Sequence, residues 1–163
     1  MMRLESKRLI LYPVGDRELR ALIGEEKDPD LKQAYTEMLR GCTDDPDGRI
    51  WYTVWFMELK DSPGTIVGDF SFKGRSKNGM VELGYGLRAG FCGHGYMTEA
   101  VRAAVEWALS QKGVTSVEAE TDAGNTASQR VLLRAGFTAT GTVGAEGPRF
   151  VRTMNNRRKR HDP

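Results

Sequence analysis

Only two cysteines, Cys42 and Cys92, and two histidines, His94 and His161, occur among the 163 residues. They fall in no metal-ligand spacing, so a zinc site is not expected. Two distant cysteines make a poor disulfide framework, least of all in a reducing compartment. No apolar run approaches the roughly 18–20 residues that cross a bilayer. The stretch from Met1 to Arg8 lacks the apolar segment of a secretory leader. The expectation is a soluble, cytoplasmic chain with no membrane partner. Internal repeats, low-complexity tracts and linkers are also absent, which predicts one domain over residues 1–155.

Charge of one sign is scarce too. The net charge is +2, and the tail Arg157-Arg158-Lys159-Arg160 supplies more than all of it. Without that tail and Asp162, the 24 basic residues fall to 20 and the 22 acidic residues to 21. A body this near neutral lacks the basic face of a nucleic-acid reader. Residues 156–163 read as a solvated, disordered terminus, with RNA binding through its basic cluster as the rival reading. Hydrophobic residues make up 39% of the chain and charged residues 28%, enough apolar content for a folded core.

What is present has clear periodicity. Residues 8–13 read as a strand stopped by Pro13. Asp16 should cap a helix to residue 23, ended by Gly24. Pro29 suits the first turn of a second helix over residues 29–40, followed by a loop from Gly41 through Gly48. Residues 50–59 and 65–73 are rich in β-branched and aromatic side chains and flank a Ser62-Pro63-Gly64 turn, a hairpin signal. Val81, Leu83, Tyr85 and Leu87 then alternate with Glu82, Gly84 and Gly86, the period of a third antiparallel strand. Met97, Ala100, Val101, Ala104, Val105, Ala108 and Leu109 form one broad apolar stripe on a helix over residues 96–112. A strand over 114–121 follows, parallel to the one before that helix. A helix over 126–135 and two closing strands, 137–143 and 149–153, complete the order β-α-α-β-β-β-α-β-α-β-β. The fold class is α/β (α+β): a mixed, mostly antiparallel twisted sheet with helices on both faces.

The segment Leu87-Arg88-Ala89-Gly90-Phe91-Cys92-Gly93-His94-Gly95-Tyr96 runs from the third of these strands into the long helix. Helix starts carry unpaired N–H groups and a partial positive charge. Glycines let a ligand approach that backbone, so the turn suits a pyrophosphate. A tight turn with no ligand is the plain alternative. Its flanks are more specific. Gly84-Tyr85 stands upstream, Gly93-His94-Gly95-Tyr96-Met97-Thr98-Glu99-Ala100 continues the turn, and Asn125, Ser128 and Gly136-Phe137 follow at a distance. In these residues and their spacing the chain resembles the GNAT acetyltransferase superfamily, and more closely its RimJ/RimL-like branch.

That resemblance implies a GNAT-like fold across nearly the whole chain, acetyl-CoA as cosubstrate and no metal. It implies direct transfer of the acetyl group to an amine, with a homodimer as an allowed assembly. Tyr85, Leu87, Cys92, Gly93, His94, Gly95, Tyr96, Met97, Asn125 and Ser128 are the implied acetyl-CoA contacts. Glu82 is the candidate base or the anchor of a water relay, against the plain reading of a solvated strand carboxylate. Glu120 and Asp122 are weaker candidates for the same work. Ser128 could protonate the leaving thiolate and Asn125 hold the pantetheine chain, although both residue types also suit helix starts. Two positions depart from the family. Gly90 stands where Gln or Arg is common, and Leu132 stands where many members carry a tyrosine held to be the thiolate's acid. Cys92 sits at the phosphate end, remote from the thioester, so an acyl-cysteine route is disfavoured. His94 contributes its backbone N–H more than its ring. Trp51 and Trp55 share a strand face by spacing; core packing suits both, with Trp51 also able to line an acceptor cleft.

The acceptor has to be neutral to attack. An α-amine of pKa ~8 is about one-tenth neutral at pH 7, a lysine at ~10.4 about once in 2,500. A strong base therefore matters less for a peptide N-terminus than for lysine. The branch resemblance implies a protein N-terminus as acceptor. Small-molecule amines are the rival, with Asp44–Asp47 as a local acidic loop. A non-catalytic acyl-CoA sensor is a third reading, since the tyrosine is missing. The first two helices and the final hairpin are expected to select the acceptor.

Overall fold

The structure, a computed structural model, describes residues 2–154. The basic cluster of residues 157–160 lies outside the described residues. Eight strands form one sheet: β1 (Leu4–Glu5), β2 (Leu9–Pro13), β3 (Val54–Leu59), β4 (Ile66–Phe72), β5 (Met80–Leu87), β6 (Ser116–Glu120), β7 (Thr138–Val143) and β8 (Pro148–Thr153). Their order in space is β1-β2-β3-β4-β5-β6-β8-β7. Only β5 and β6 run parallel; the remaining neighbours are antiparallel. Four α-helices join them: α1 (Asp16–Glu25), α2 (Pro29–Asp44), α3 (Tyr96–Ser110) and α4 (Thr126–Arg134). No helix among the described residues is long and apolar enough to cross a membrane.

The period-two strands sort their side chains onto two faces. Trp55, Met57, Phe70, Phe72, Val81 and Leu83 pack with the expected stripe of α3, all seven of whose residues are buried. Leu132 of α4 joins them with no exposure. On the opposite face, Val54 and Phe56 meet Val14, Leu19, Tyr35 and Cys42, which α1 and α2 bring over the sheet. The core therefore has two unequal layers, and the larger holds α3 and α4 against the sheet's centre.

Several local expectations change. Residues 4–5 form an edge strand that their own pattern does not announce; pairing of Leu4 with Leu11 creates it. Gly15, not Asp16, is the N-cap of α1. The Asp16 carboxylate instead accepts 2.6 Å and 3.1 Å hydrogen bonds from Arg49. Gly24 lies inside α1 rather than ending it. Gly41 likewise lies inside α2, which runs on to Asp44. A Cβ at Gly41 would overlap the Tyr52 ring, so glycine serves a close approach there rather than a stop.

Ile50 and Trp51 are not strand. They belong to a 3-10 helix, Pro46–Trp51, capped by Asp45 accepting from the Gly48 N–H. Trp51 is 8% exposed and stacks with Trp107 at 4.9 Å between ring centroids, beside Trp55 at 5.2 Å from the same ring. Trp51 thus packs in the core on the α3 side of the sheet.

Leu132, the position where a tyrosine was sought, has no surface to offer. Truncating it leaves a cavity under α4, so Leu132→Ala should destabilise the fold by about 2–5 kcal/mol. Urea unfolding should show a lower midpoint with an unchanged slope.

Candidate active site

Strands β5 and β6 pair only through Met80–Ser116, Val81–Val117 and Glu82–Glu118. Beyond that point both continue, β5 to Leu87 and β6 to Glu120, but the ladder stops. The pairing thus leaves a gap in the middle of the sheet. On its other edge β5 stays paired with β4 from Leu83 to Leu87. The Glu82 carbonyl accepts from Lys73 N–H and the Arg88 N–H donates to Val67 on the β4 side. By alternation, the N–H and C=O groups of Leu83, Tyr85 and Leu87 face the gap. An extended, amide-bearing chain can add to such an edge as a strand would.

At the far end of β5 the turn meets α3. Gly90, Gly93 and Gly95 have φ of 90°, 82° and 79°, a region open to glycine at little cost. An added Cβ at Gly93 would meet nothing within 4 Å, so the surface above this turn is clear. Gly95 is the N-cap of α3 and offers no side-chain cap. Among the described residues, the N–H groups of Tyr96, Met97 and Thr98 have no backbone acceptor. Met97 is 3% exposed and presents only its backbone. These residues fit a diphosphate: several open donors converge at the positive end of a 15-residue helix.

The turn is held from behind by residues that the motif reading passed over. The Glu99 carboxylate accepts from the Arg8 N–H at 2.8 Å, from Arg8 Nε at 2.9 Å and from the Ser6 hydroxyl. Arg8 also donates to the His94 carbonyl at 2.9 Å and lies 4.4 Å above the Tyr96 ring. Burial pushes the Glu99 carboxyl upward, but the bonds from Ser6 and Arg8 outweigh it and hold the group below the usual range. The motif's Thr98-Glu99 was the available signal; its partners ninety residues away carried none. Cys92 is exposed in this turn and forms no disulfide.

At the mouth of the gap, the Tyr85 hydroxyl lies 2.8 Å from Ser128 Oγ and donates to the Ser128 carbonyl at 3.1 Å. Burial pushes the Tyr85 phenol up, partly offset by its bond to Ser128; it is protonated at neutral pH. Asn125 is the N-cap of α4, and its Oδ1 accepts from the Ser128 N–H at 3.0 Å. Capping is thus one job of Asn125, and it fixes where Ser128 stands.

Glu82 faces the other side of the sheet. Arg149 bonds it at 3.1 Å, bonds Glu118 at 3.2 Å and also pairs with Glu120. Lys73 Nζ lies 3.9 Å from Glu82. The Glu146 N–H and Arg149 together hold the Glu120 carboxyl below its usual range. Asp122 stands apart, accepting from the Gly124 N–H at 2.7 Å. Spacing alone gave no hint that one arginine collects the carboxylates of two strands. No cluster of metal-ligating side chains occurs among the described residues.

With this geometry in place, the comparisons are direct. A model of the acetyltransferase (GNAT) domain matches residues 7–138. The chain belongs to the GNAT acetyltransferase family. A curated relative, the uncharacterized N-acetyltransferase YjdG of Bacillus subtilis strain 168, is 33% identical over 92 residues, 56% of this chain. The match spans about half of that relative, 54% of its length. Among solved structures, the fold resembles RimL, a ribosomal L7/L12 alpha-N-protein acetyltransferase in complex with coenzyme A. Its TM-score is 0.72 at 16% identity, covering 95% of this chain and 99% of that one. It also resembles the aminoglycoside acetyltransferase AAC(6')-Ib, in complex with coenzyme A and kanamycin. There the TM-score is 0.69 at 18% identity, covering 94% and 99%.

The Glu99 tie gives a test. Glu99→Gln removes the charge that holds Arg8 behind the turn, and the affinity for acetyl-CoA should fall roughly fivefold, about 1 kcal/mol. Isothermal titration calorimetry at neutral pH reads this directly. Because the folded carboxyl is held low, its contribution is present at neutral pH and is lost as the solution is acidified through that lowered value.

Proposed function

We propose that this protein transfers an acetyl group from acetyl-CoA to a primary amine. The observation that carries the reading is the sheet's gap, which leads along β5 into the uncapped start of α3. The backbone of Tyr85 and Leu87 would hold the pantetheine arm, with Asn125 from α4. The turn from Cys92 through Gly93, His94 and Gly95 to Tyr96 and Met97 would hold the diphosphate. Bound there, acetyl-CoA supplies the acyl group on a good leaving group.

The chain's own residues supply the rest. The hydroxyls of Tyr85 and Ser128, 2.8 Å apart, form a donor pair at the mouth of the gap. Ser128 gives its proton to the thiolate and Tyr85 replaces it. This pair takes the place of the tyrosine absent at Leu132. Glu82, fixed by Arg149 and Lys73, suits an anchor for ordered water beside the acceptor.

For the acceptor, a peptide N-terminus is the first reading and a small-molecule amine the second. RimL supports one and AAC(6')-Ib the other. The α-amine is favoured because it needs the weaker base. A cytoplasmic site of action fits both acceptors. Free-thiol release from acetyl-CoA, measured against N-terminal peptides, polyamines, amino acids and aminoglycosides, decides among them. Thiol release with none, despite tight acetyl-CoA binding, would favour a sensor.

Ser128→Ala should lower kcat by about 100-fold, within the range for a lost general acid, while KM for acetyl-CoA changes much less. Unchanged kcat would remove Ser128 from the chemistry. Cys92→Ala should keep full activity, because no step uses its thiol; a dead variant would revive the acyl-cysteine route.

A further inference from the structure

On the face opposite α3, four residues lie in one row across the sheet. Tyr12 pairs with Phe56, Phe56 with Asp69, and Asp69 with Gly86. Adjacent strands are about 4.8 Å apart, so each side chain borders the next. The first two carry rings, 6.1 Å between centroids. The last is glycine, and a Cβ built on it would meet nothing within 4 Å. The row therefore ends in open space beside the Asp69 carboxyl, on the segment of β5 that borders the gap. Ser71 pairs with Gly84 one step along, where an added Cβ would meet Lys73 Cε at 3.6 Å.

Asp69 differs from the acids that an arginine holds. Asp16 has Arg49, Asp45 has Arg75, Glu82 has Arg149 and Glu99 has Arg8. No hydrogen bond or ion pair reaches the Asp69 carboxyl among the described residues. Burial raises its pKa, and Arg88, just after β5, offsets this only in part. From α2, Tyr35 faces the same space, its own phenol pushed up first by burial and then by Asp69 and Glu26. Tyr12, on β2, is pushed up mainly by burial. A partly buried, unpaired carboxyl is costly to the fold, and a purely structural one would be expected to have a donor.

We propose that Asp69 is the general base that takes the proton of the acceptor's ammonium group, over the glycine floor of β5. The proposal rests on the acetyl-transfer reading of the gap. One proton passes from the ammonium to the Asp69 carboxylate, leaving a neutral amine. Its lone pair forms the N–C bond to the acetyl carbonyl carbon, and the C–S bond breaks with its electron pair on sulfur. The thiolate takes a proton from Ser128. The nitrogen gives up its second proton to solvent, a proton from solvent restores the Ser128 hydroxyl, and the proton on Asp69 leaves to solvent, so that one proton is released per turnover. A carboxyl shifted toward neutrality is a better acceptor of that first proton than one locked to an arginine.

The test compares wild type, Asp69→Asn, Asp69→Glu and Glu82→Gln. Acetyl-CoA affinity is measured by calorimetry. Free-thiol release is followed with glycinamide, a serine-initiated tetrapeptide, spermidine and kanamycin as amines. Asp69→Asn should bind acetyl-CoA within about threefold of wild type and lose about 100-fold in kcat/KM for the amine, as expected for a missing general base. Its rate profile should lack the acidic limb, which Glu82→Gln should retain; Asp69→Glu should recover part of the rate.

A second readout does not depend on turnover. A raised folded pKa means that the charged form costs stability above that value and costs nothing once both states are protonated. Asp69→Asn should therefore melt above wild type at pH 8, with the difference vanishing as pH falls below 4. Wild-type turnover and an intact acidic limb in Asp69→Asn would overturn the proposal. A lower melting temperature for that variant at pH 8 would do the same, by making Asp69 structural. Wild type that binds no acetyl-CoA would count against the acetyl-transfer reading instead, whereas bound acetyl-CoA with an active Asp69→Asn counts against Asp69 alone.

Discussion

The short parallel ladder between β5 and β6 is the constraint on which the molecule turns. Three residue pairs join the two halves of the sheet, and then the strands part. Parallel strands need a crossover, and α3 supplies it, so the helix must start where β5 ends. That one connection sets an uncapped helix terminus at the end of an unpaired strand edge. Polar backbone that would be wasted in a closed sheet becomes the wall of a slot. Breaking a ladder costs hydrogen bonds that a bound chain can return, which is why such a gap suits a ligand carrying its own amides.

Two sets of charged contacts keep the gap in shape. Behind α3, Glu99 receives Ser6 and Arg8 from the β1–β2 corner, so the N-terminal edge of the sheet braces the phosphate turn. At the end of the parallel ladder, Arg149 ties β8 to Glu82 of β5 and to Glu118 and Glu120 of β6. These carboxylates stand side by side on neighbouring strands, and like charges so placed repel. The arginine between them converts that repulsion into a clamp across both halves of the sheet. Glu82 gains a fixed position from it.

The elements with strong periods were legible. The α3 stripe was read residue by residue, and β5 from its alternation, because burial of one face imposes a repeat that survives in the sequence. Where no repeat exists, the reading slipped. Gly24 and Gly41 look like stops, yet both lie inside helices. Gly41 is glycine because Tyr52 presses on it from another element. Trp51 reads as a strand residue by composition but belongs to a 3-10 turn whose start Asp45 caps. The turn proposed to hold acetyl-CoA was legible as a turn because its features are local: positive φ and a helix start within a few residues. The base was not. Asp69 sits in a plain strand, and nothing near it in the chain distinguishes it from a solvated acid.

By itself, then, the amino-acid sequence determined the order of the main elements, the apolar faces that would meet, and the glycine turn proposed to take a diphosphate. Each depends on neighbours along the chain, through a period of two or 3.6 or through a glycine's freedom. Tertiary structure alone decided which carboxylates are spent on arginines, that Asp69 is partly buried without such a partner, and that a tyrosine of β5 meets a serine of α4. Those outcomes depend on distances between residues about 30 to 90 positions apart. A carboxylate's basicity follows from its burial and its partners, and neither exists until the sheet has closed around it.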